Sequence, residues 1–193
     1  MRAAVAARFG LFAECLLTGV WITLASLPLV TLPAALAAGS AHLRRHLAHE
    51  RSTWREYAAD VRAATRRGGL LAGLAGWAAL ALVGADLAVV RAGGLPGAPL
   101  VGAVGVLALL ALAVTGLRAA TAWRPGASWR ALLSPAARRT ARDPAGSLTL
   151  VCGFAVIAAS AWFAAPLAAP ALGMLAAAAL AVEQRDMSGR PGL

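Results

Sequence analysis

Residues 68–90 read GGLLAGLAGWAALALVGADLAVV, with Asp86 as the single charge. A bilayer core about 30 Å thick takes about 20 apolar residues in helical form. This stretch is long enough to cross one, and a segment so uniformly apolar has no face to offer to water. Moving outward, four further stretches share its character: 9–30, 100–122, 147–165 and 167–182. Across all five the only charges are Glu14, Asp86 and Arg118. Four of the five reach the needed length and the last comes close. The sequence therefore predicts an all-α, polytopic membrane helix bundle, one domain over residues 1–193, with five transmembrane helices.

Composition agrees. The hydrophobic fraction is 60% and mean hydropathy is +0.72, which excludes a soluble enzyme domain with a water-facing surface. The formal charge of +10 comes entirely from arginine, since the chain has no lysine. Basic loops beside apolar spans are topology signals and contacts for anionic lipid, so the bilayer, and not nucleic acid, is the expected partner. Cys15 and Cys152 form no CxxC pair. Their expected depths differ too much for a disulfide, and they read as small buried hydrophobes.

The arginines fix an expected orientation. Segment 31–67 holds seven (Arg44, Arg45, Arg51, Arg55, Arg62, Arg66, Arg67), and segment 118–146 holds six. Arg91 stands alone in the next link, and Arg185 and Arg190 mark the tail. Positive charge resists translocation, so 31–67, 123–146 and the tail are expected in the cytoplasm of the cell's inner (plasma) membrane. That places the N-terminus outside and the C-terminus inside. Arg2 and Arg8 oppose this and are outvoted. A signal peptide ending near Ala37-Ala38-Gly39-Ser40-Ala41 is the weaker alternative. Its apolar run would be too long, and cleavage would strand seven arginines outside.

Between the spans, Pro28 and Pro33 bracket a break, and a helix resumes over 34–48. His42, His46 and His49 share one face of it at i, i+4 and i+7. Zinc is the sharp reading, but ligand partners are lacking, so an interfacial helix with a titratable face is expected, with no metal and no cofactor. Thr53-x-x-Glu56 fits a capping box opening a second short helix. Trp54 and Tyr57 lie on its apolar face. Together with Arg44, Arg45, Arg55, Arg62, Arg66 and Arg67, Trp54 makes this a candidate contact for anionic lipid or for a partner. Segment 123–146 repeats the pattern with Trp123 and Trp129. Two basic cytoplasmic interfacial segments result.

Glu14 and Asp86 are the candidate polar intramembrane residues. At about 1.5 Å per residue both lie at similar depth below the outer boundary, so they either share an outward-facing site or snorkel separately to water. Gly69-x-x-x-Gly73 and Gly102 with Gly105 offer close helix approach. No nucleotide loop, catalytic triad or HExxH motif is legible, so no catalytic residue is assigned and no enzyme is expected.

The run Gly19-Val-Trp-Ile-Thr-Leu-Ala-Ser-Leu-Pro-Leu-Val-Thr-Leu-Pro-Ala-Ala-Leu-Ala-Ala resembles the first helix and exit of the YesL family of small bacterial membrane proteins. Trp21, Leu27, Pro28, Val30 and Thr31 match that family's turn. Trp54, Arg55 and Tyr57 resemble its next element, and Asp86 its second helix end. The resemblance covers about the first 90 residues. Where that family has an asparagine before the tryptophan, this chain has Thr18 or Gly19. The resemblance implies a non-enzymatic accessory or regulatory partner of a carbohydrate uptake system, in contact with sugar transporter subunits or with further copies of itself. A small oligomeric permease is the alternative. From the residues alone, Trp21, Pro28 and Thr31 read as a structural turn. Pro28 frees the carbonyl of Leu24, and the Thr31 hydroxyl can bond backbone at the helix end. The turn is expected to redirect the chain from spanning to interfacial.

Overall fold

In the computed structural model, which describes residues 2–50, 52–92 and 98–188, eight α-helices follow one another and no strand occurs among the described residues. They are α1 (Arg2–Ala25), α2 (Leu32–Leu47), α3 (Trp54–Ala64), α4 (Leu70–Ala92), α5 (Ala98–Ala122), α6 (Trp129–Arg142), α7 (Pro144–Phe163) and α8 (Ala168–Ser188). Arg51 and Arg190 lie outside the described residues, as do the side chains of Arg2 and Arg8.

Three stretches are long and apolar enough to cross a membrane: Trp54–Ala92, Ala98–Ala122 and Pro144–Phe163. Most of their leucines point outward, as Leu71, Leu82, Leu100 and Leu107 show by being mostly exposed, while Leu117 and Leu150 join the core. In a water-soluble fold such contiguous exposure is an aggregation hazard; in a bilayer it is the lipid-facing surface. The expected first span corresponds to α1, whose apolar part, Phe9–Ala25, is shorter. The expected fifth corresponds to α8.

The turn after α1 is built by local bonds. The Thr31 hydroxyl donates to the Ala25 carbonyl at 2.5 Å, and Leu27 N–H reaches Leu24 O at 3.4 Å. Leu29 takes φ +53, a left-handed value that costs an L-residue some strain. The carbonyls the turn exposes are covered by α4. Trp77 Nε1 donates to Leu29 O at 3.0 Å, and Gly73 lies so close to Val30 O that a Cβ would collide with it.

Here the structure departs from the interfacial reading of 34–48. Instead of leaving the bundle, α2 folds back antiparallel along α1. Gly39 packs on Ile22 and Thr18, and His42 meets Glu14. Every residue from Ala34 to Leu43 is buried. The reason is size: Ala34, Ala35, Ala37, Ala38, Gly39, Ser40 and Ala41 let neighbouring backbones close in on all sides. As a result Arg44 and Arg45 return to the end of the hairpin where α1 begins.

Helix α8 crosses α1 at Gly19 and Gly173, each of which leaves no room for a Cβ against the other helix's backbone. Gly146 faces Val182 and Gly153 faces Leu175, so α7 and α8 run antiparallel. Helices α4 and α5 pair antiparallel through Leu87 with Gly102 and Gly105. Between α3 and α4 the chain kinks within Thr65–Gly69, where Arg67 and Gly68 leave helical geometry and Gly68 takes φ +103. That kink frees the Ala64 carbonyl, which Trp129 Nε1 of α6 caps at 3.0 Å. Cys15 is buried as expected, while Cys152 is exposed, and both are free thiols.

Candidate functional site

One end of the bundle gathers the charge. It is formed by the C-terminal parts of α2, α5 and α8, the N-terminus of α7, and the α5–α6 link. Two arginine centres lie there, and they differ.

The first is closed. Arg118, fully buried on α5, donates to Asp143 Oδ2 at 2.8 Å and lies 3.4 Å from Glu183 Oε1. Glu183 also pairs with Arg139 at 3.4 Å, and Arg185 stands 3.8 Å from Asp143. Asp143 also caps α7, accepting from Gly146 N–H at 2.9 Å. The Arg118 hydrogen bond, followed by that backbone bond, holds the Asp143 carboxyl below its ordinary range.

The second is open. Arg44 donates to the carbonyls of Thr121 and Trp123, the last turn of α5, the latter at 2.6 Å. A guanidinium on the negative end of a helix satisfies carbonyls that have no helical partner. No carboxylate among the described residues bonds to it. Burial, then the neighbouring Arg124 and Arg45, push its pKa down to about 10. Beside it lies a cavity of about 540 Å³ bounded by Arg44, Arg45, Arg124, Glu50 and Gln184. Three arginines and one acid line it, and one of the arginines, Arg45, is paired with Asp60 at 2.7 Å.

Adjoining this cavity is a polar chain that ties three segments together. Glu14 Oε1 of α1 lies 2.5 Å from His42 Nε2, and His42 Nδ1 lies 2.5 Å from Ser52 Oγ in the link before α3. Arg45 Nε reaches Ser52 Oγ at 3.3 Å, and its Nη2 pairs with Asp60 at 2.7 Å. Trp21 stands edge-on to His42, with centroids 4.9 Å apart, and against Tyr57 at 5.4 Å. His42 is fully buried. Burial lowers its pKa and outweighs the hydrogen bond to Glu14, which raises it.

The residues singled out from sequence are thus divided. Glu14 meets His42 rather than Asp86, which remains exposed on α4 with no bonded partner among the described residues. Trp21 and Thr31 belong to the α1–α2 hairpin, and Pro28 sits exposed at its tip. Arg55, Arg62, Arg66, Arg67 and Trp54 are exposed, with the Arg55 guanidinium 5.8 Å over the Trp54 ring. Arg67 also caps the Gly126 carbonyl at 2.8 Å. Thr53 N–H bonds Glu56 at 2.8 Å, as the capping box requires. Of the three histidines, His42 alone is drawn inward, and both its nitrogens are engaged. No group of three or more metal-ligating side chains forms among the described residues. Ser52, Asp143 and Glu183 were not singled out from sequence. Their only signal was that a chain with eight acidic residues places these two carboxylates beside apolar helices. Comparisons with protein-family models, with curated proteins and with solved structures return no match.

Proposed function

We propose that the chain is a multi-pass protein of a bacterial plasma membrane that holds an anionic ligand in the arginine-bounded cavity at its basic end. The supporting observation is the charge imbalance there. Arg44, Arg45 and Arg124 line about 540 Å³ of open space with Glu50, and with Arg45 already paired to Asp60 at 2.7 Å, Arg44 and Arg124 face the single remaining carboxylate, Glu50. Arginine presents a planar fork of donors that suits phosphate and carboxylate oxygens, and a partly buried guanidinium is more weakly screened than an exposed one.

Arginine resists translocation, so the basic end faces the cytoplasm. Because α1 begins and α8 ends near it, those two helix ends belong on that side. We propose this side for the start of α1 in place of the outward N-terminus expected from 31–67 as a cytoplasmic segment. At the cavity the role is binding. The cellular setting follows from the YesL resemblance: an accessory or regulatory partner of a carbohydrate uptake system, working beside transporter subunits or as a homo-oligomer. Anionic lipid headgroups and soluble phosphates share the required chemistry.

Thermal unfolding of the detergent-purified chain tests the binding. A ligand at 100 times its Kd adds about 2.7 kcal/mol to stability. Stabilisation by inorganic phosphate assigns a soluble ligand, and stabilisation by phosphatidylglycerol alone assigns a lipid. An unchanged midpoint with both rejects the reading. Orientation is checked with single cysteines at Ala59 and Ser134 in a background lacking Cys15 and Cys152. Both are expected to resist an impermeant thiol reagent in intact cells, and labelling without lysis would reverse the topology.

A further inference from the structure

With His42 Nε2 as the donor to Glu14, the chain Arg45–Ser52–His42–Glu14 hydrogen-bonds in one consistent direction. A guanidinium N–H can only donate, so Ser52 Oγ accepts from Arg45 Nε. An ionised carboxylate can only accept, so His42 Nε2 carries the proton toward Glu14. Nδ1 is then a bare lone pair, and the Ser52 hydroxyl donates into it at 2.5 Å. Burial keeps the imidazole neutral, as a base must be. The titratable and charged groups around the ring are Glu14 from α1, Arg45 and His46 from α2, and Tyr57 from α3, with Asp60 behind Arg45. Ser52 itself is only half-buried and precedes α3, whose first-turn N–H groups lack helical acceptors.

A hydroxyl on one nitrogen of a neutral histidine, with a carboxylate on the other, is the arrangement that activates a serine. We propose that Ser52 is a nucleophile for acyl transfer, with His42 as its general base and Glu14 as the residue that positions it. Glu14 fixes the tautomer and steadies the imidazolium that forms. The ring is used with its nitrogens exchanged relative to the common triad, which the chemistry permits because either nitrogen can serve as base. Arg45 links the two features, since it bonds Ser52 and also lines the cavity. The fitting substrate is an acyl ester with an anionic group seated among Arg44, Arg45 and Arg124. That substrate class rests on the binding reading above; the nucleophile does not.

The balance is simple. Ser52 Oγ bonds to the ester carbonyl carbon as its proton passes to His42 Nδ1, and the carbonyl π pair moves onto oxygen. The backbone N–H groups of Trp54 and Arg55, at the positive end of α3, are the available donors to that oxyanion. Collapse breaks the ester C–O bond, and the leaving alkoxide takes the proton from Nδ1. Water then adds to the acyl-serine, giving its proton to Nδ1, and Ser52 Oγ leaves and recovers it. The sum is ester plus water to acid plus alcohol.

The test is a fluorophosphonate probe applied to the full chain in detergent, with peptide mapping of the adduct. The expected result is an adduct on Ser52, absent from Ser52→Ala and slowed about 100-fold in His42→Gln, the usual contribution of a general base. Glu14→Gln should slow labelling and move the midpoint of its pH profile downward, because the carboxylate that favours the imidazolium is gone. A merely structural Glu14 would leave that midpoint in place. Where His42→Gln fails to fold, Ser52→Cys in a background without Cys15 and Cys152 replaces it. Its alkylation by iodoacetamide should show a thiolate formed well below pH 8. Absence of an adduct on Ser52 in folded protein, or labelling unchanged by loss of His42, overturns the nucleophile. Vesicles of phosphatidylglycerol, but not of phosphatidylcholine, should suppress labelling. Failure to do so overturns the substrate class alone.

Discussion

Arg118 and Arg44 occupy the same end of the bundle and answer the cost of leaving water in opposite ways. Arg118 is enclosed by carboxylates, Asp143 and Glu183, contributed by two other helix ends. Arg44 bonds to carbonyl dipoles and opens onto a cavity that it shares with Arg45, Arg124 and Glu50. A formal ion pair cancels charge where it stands, whereas a dipole cap leaves most of the field intact. The first centre is therefore a fastener between α5, α7 and α8. The second leaves Arg44 open to the cavity in which we propose an anion binds.

The largest effect should come from Arg118→Leu. It strands two acids in a poorly hydrated place, and breaking such a pair costs about 3–5 kcal/mol. The thermal midpoint in detergent should fall steeply, and Asp143→Asn with Glu183→Gln in the same chain should recover part of it. If the single variant kept the wild-type midpoint, the two centres would not differ in kind.

Arg44→Gln is expected to cost less, about 1–2 kcal/mol for the lost bonds to α5, because water from the open cavity can replace the donors. The same variant should abolish stabilisation by phosphate or phosphatidylglycerol. A stability loss equal to that of Arg118→Leu would erase the distinction.

Acid should separate them next. Asp143 has a lowered folded pKa against an ordinary 3.8, so its contribution is complete above that value. It is lost as pH falls through the folded pKa. Asp143→Asn should remove this acid limb, whereas the Arg44 bonds to α5, which end on backbone carbonyls, should supply none. Unfolding midpoints measured from pH 7 down to about pH 3 report it.

Arg124→Gln should be the smallest change, within about 0.5 kcal/mol for an exposed side chain. It should nonetheless weaken ligand-induced stabilisation. An Arg124 variant that binds like wild type would shrink the open centre to Arg44 and Arg45.

Much of the helical framework was legible because spans are written in long apolar runs. Residues 68–90 and 100–122 coincide with α4 and α5 to within a few positions. The turn at Pro28–Thr31 was legible too, since proline and threonine act through local backbone. Helix α2 was misjudged because its signal was spread thin. Alanine and glycine carry almost no hydropathic pattern, so the histidine stripe and Arg44, Arg45 dominated the reading. Arg118 was counted as a topology charge and turned out to be a core residue. Pairings such as Glu14 with His42, separated by 28 positions, depend on which faces of two helices meet. One sequence does not state that, and Asp86 at a similar inferred depth offered a false partner.

The enclosure of α2 has a consequence for how the chain is made. Two of the elements that cover it, α5 and α8, are synthesised long after it leaves the ribosome. Until α8 arrives, Gly19 on α1 has no Gly173 to seat against, and the alanine-rich helix beside it stays open to lipid or to chaperones. The N-terminal third must therefore wait, unfinished, for the last helix. A chain that stops after α7 would leave Gly19 without the Gly173 backbone it packs against.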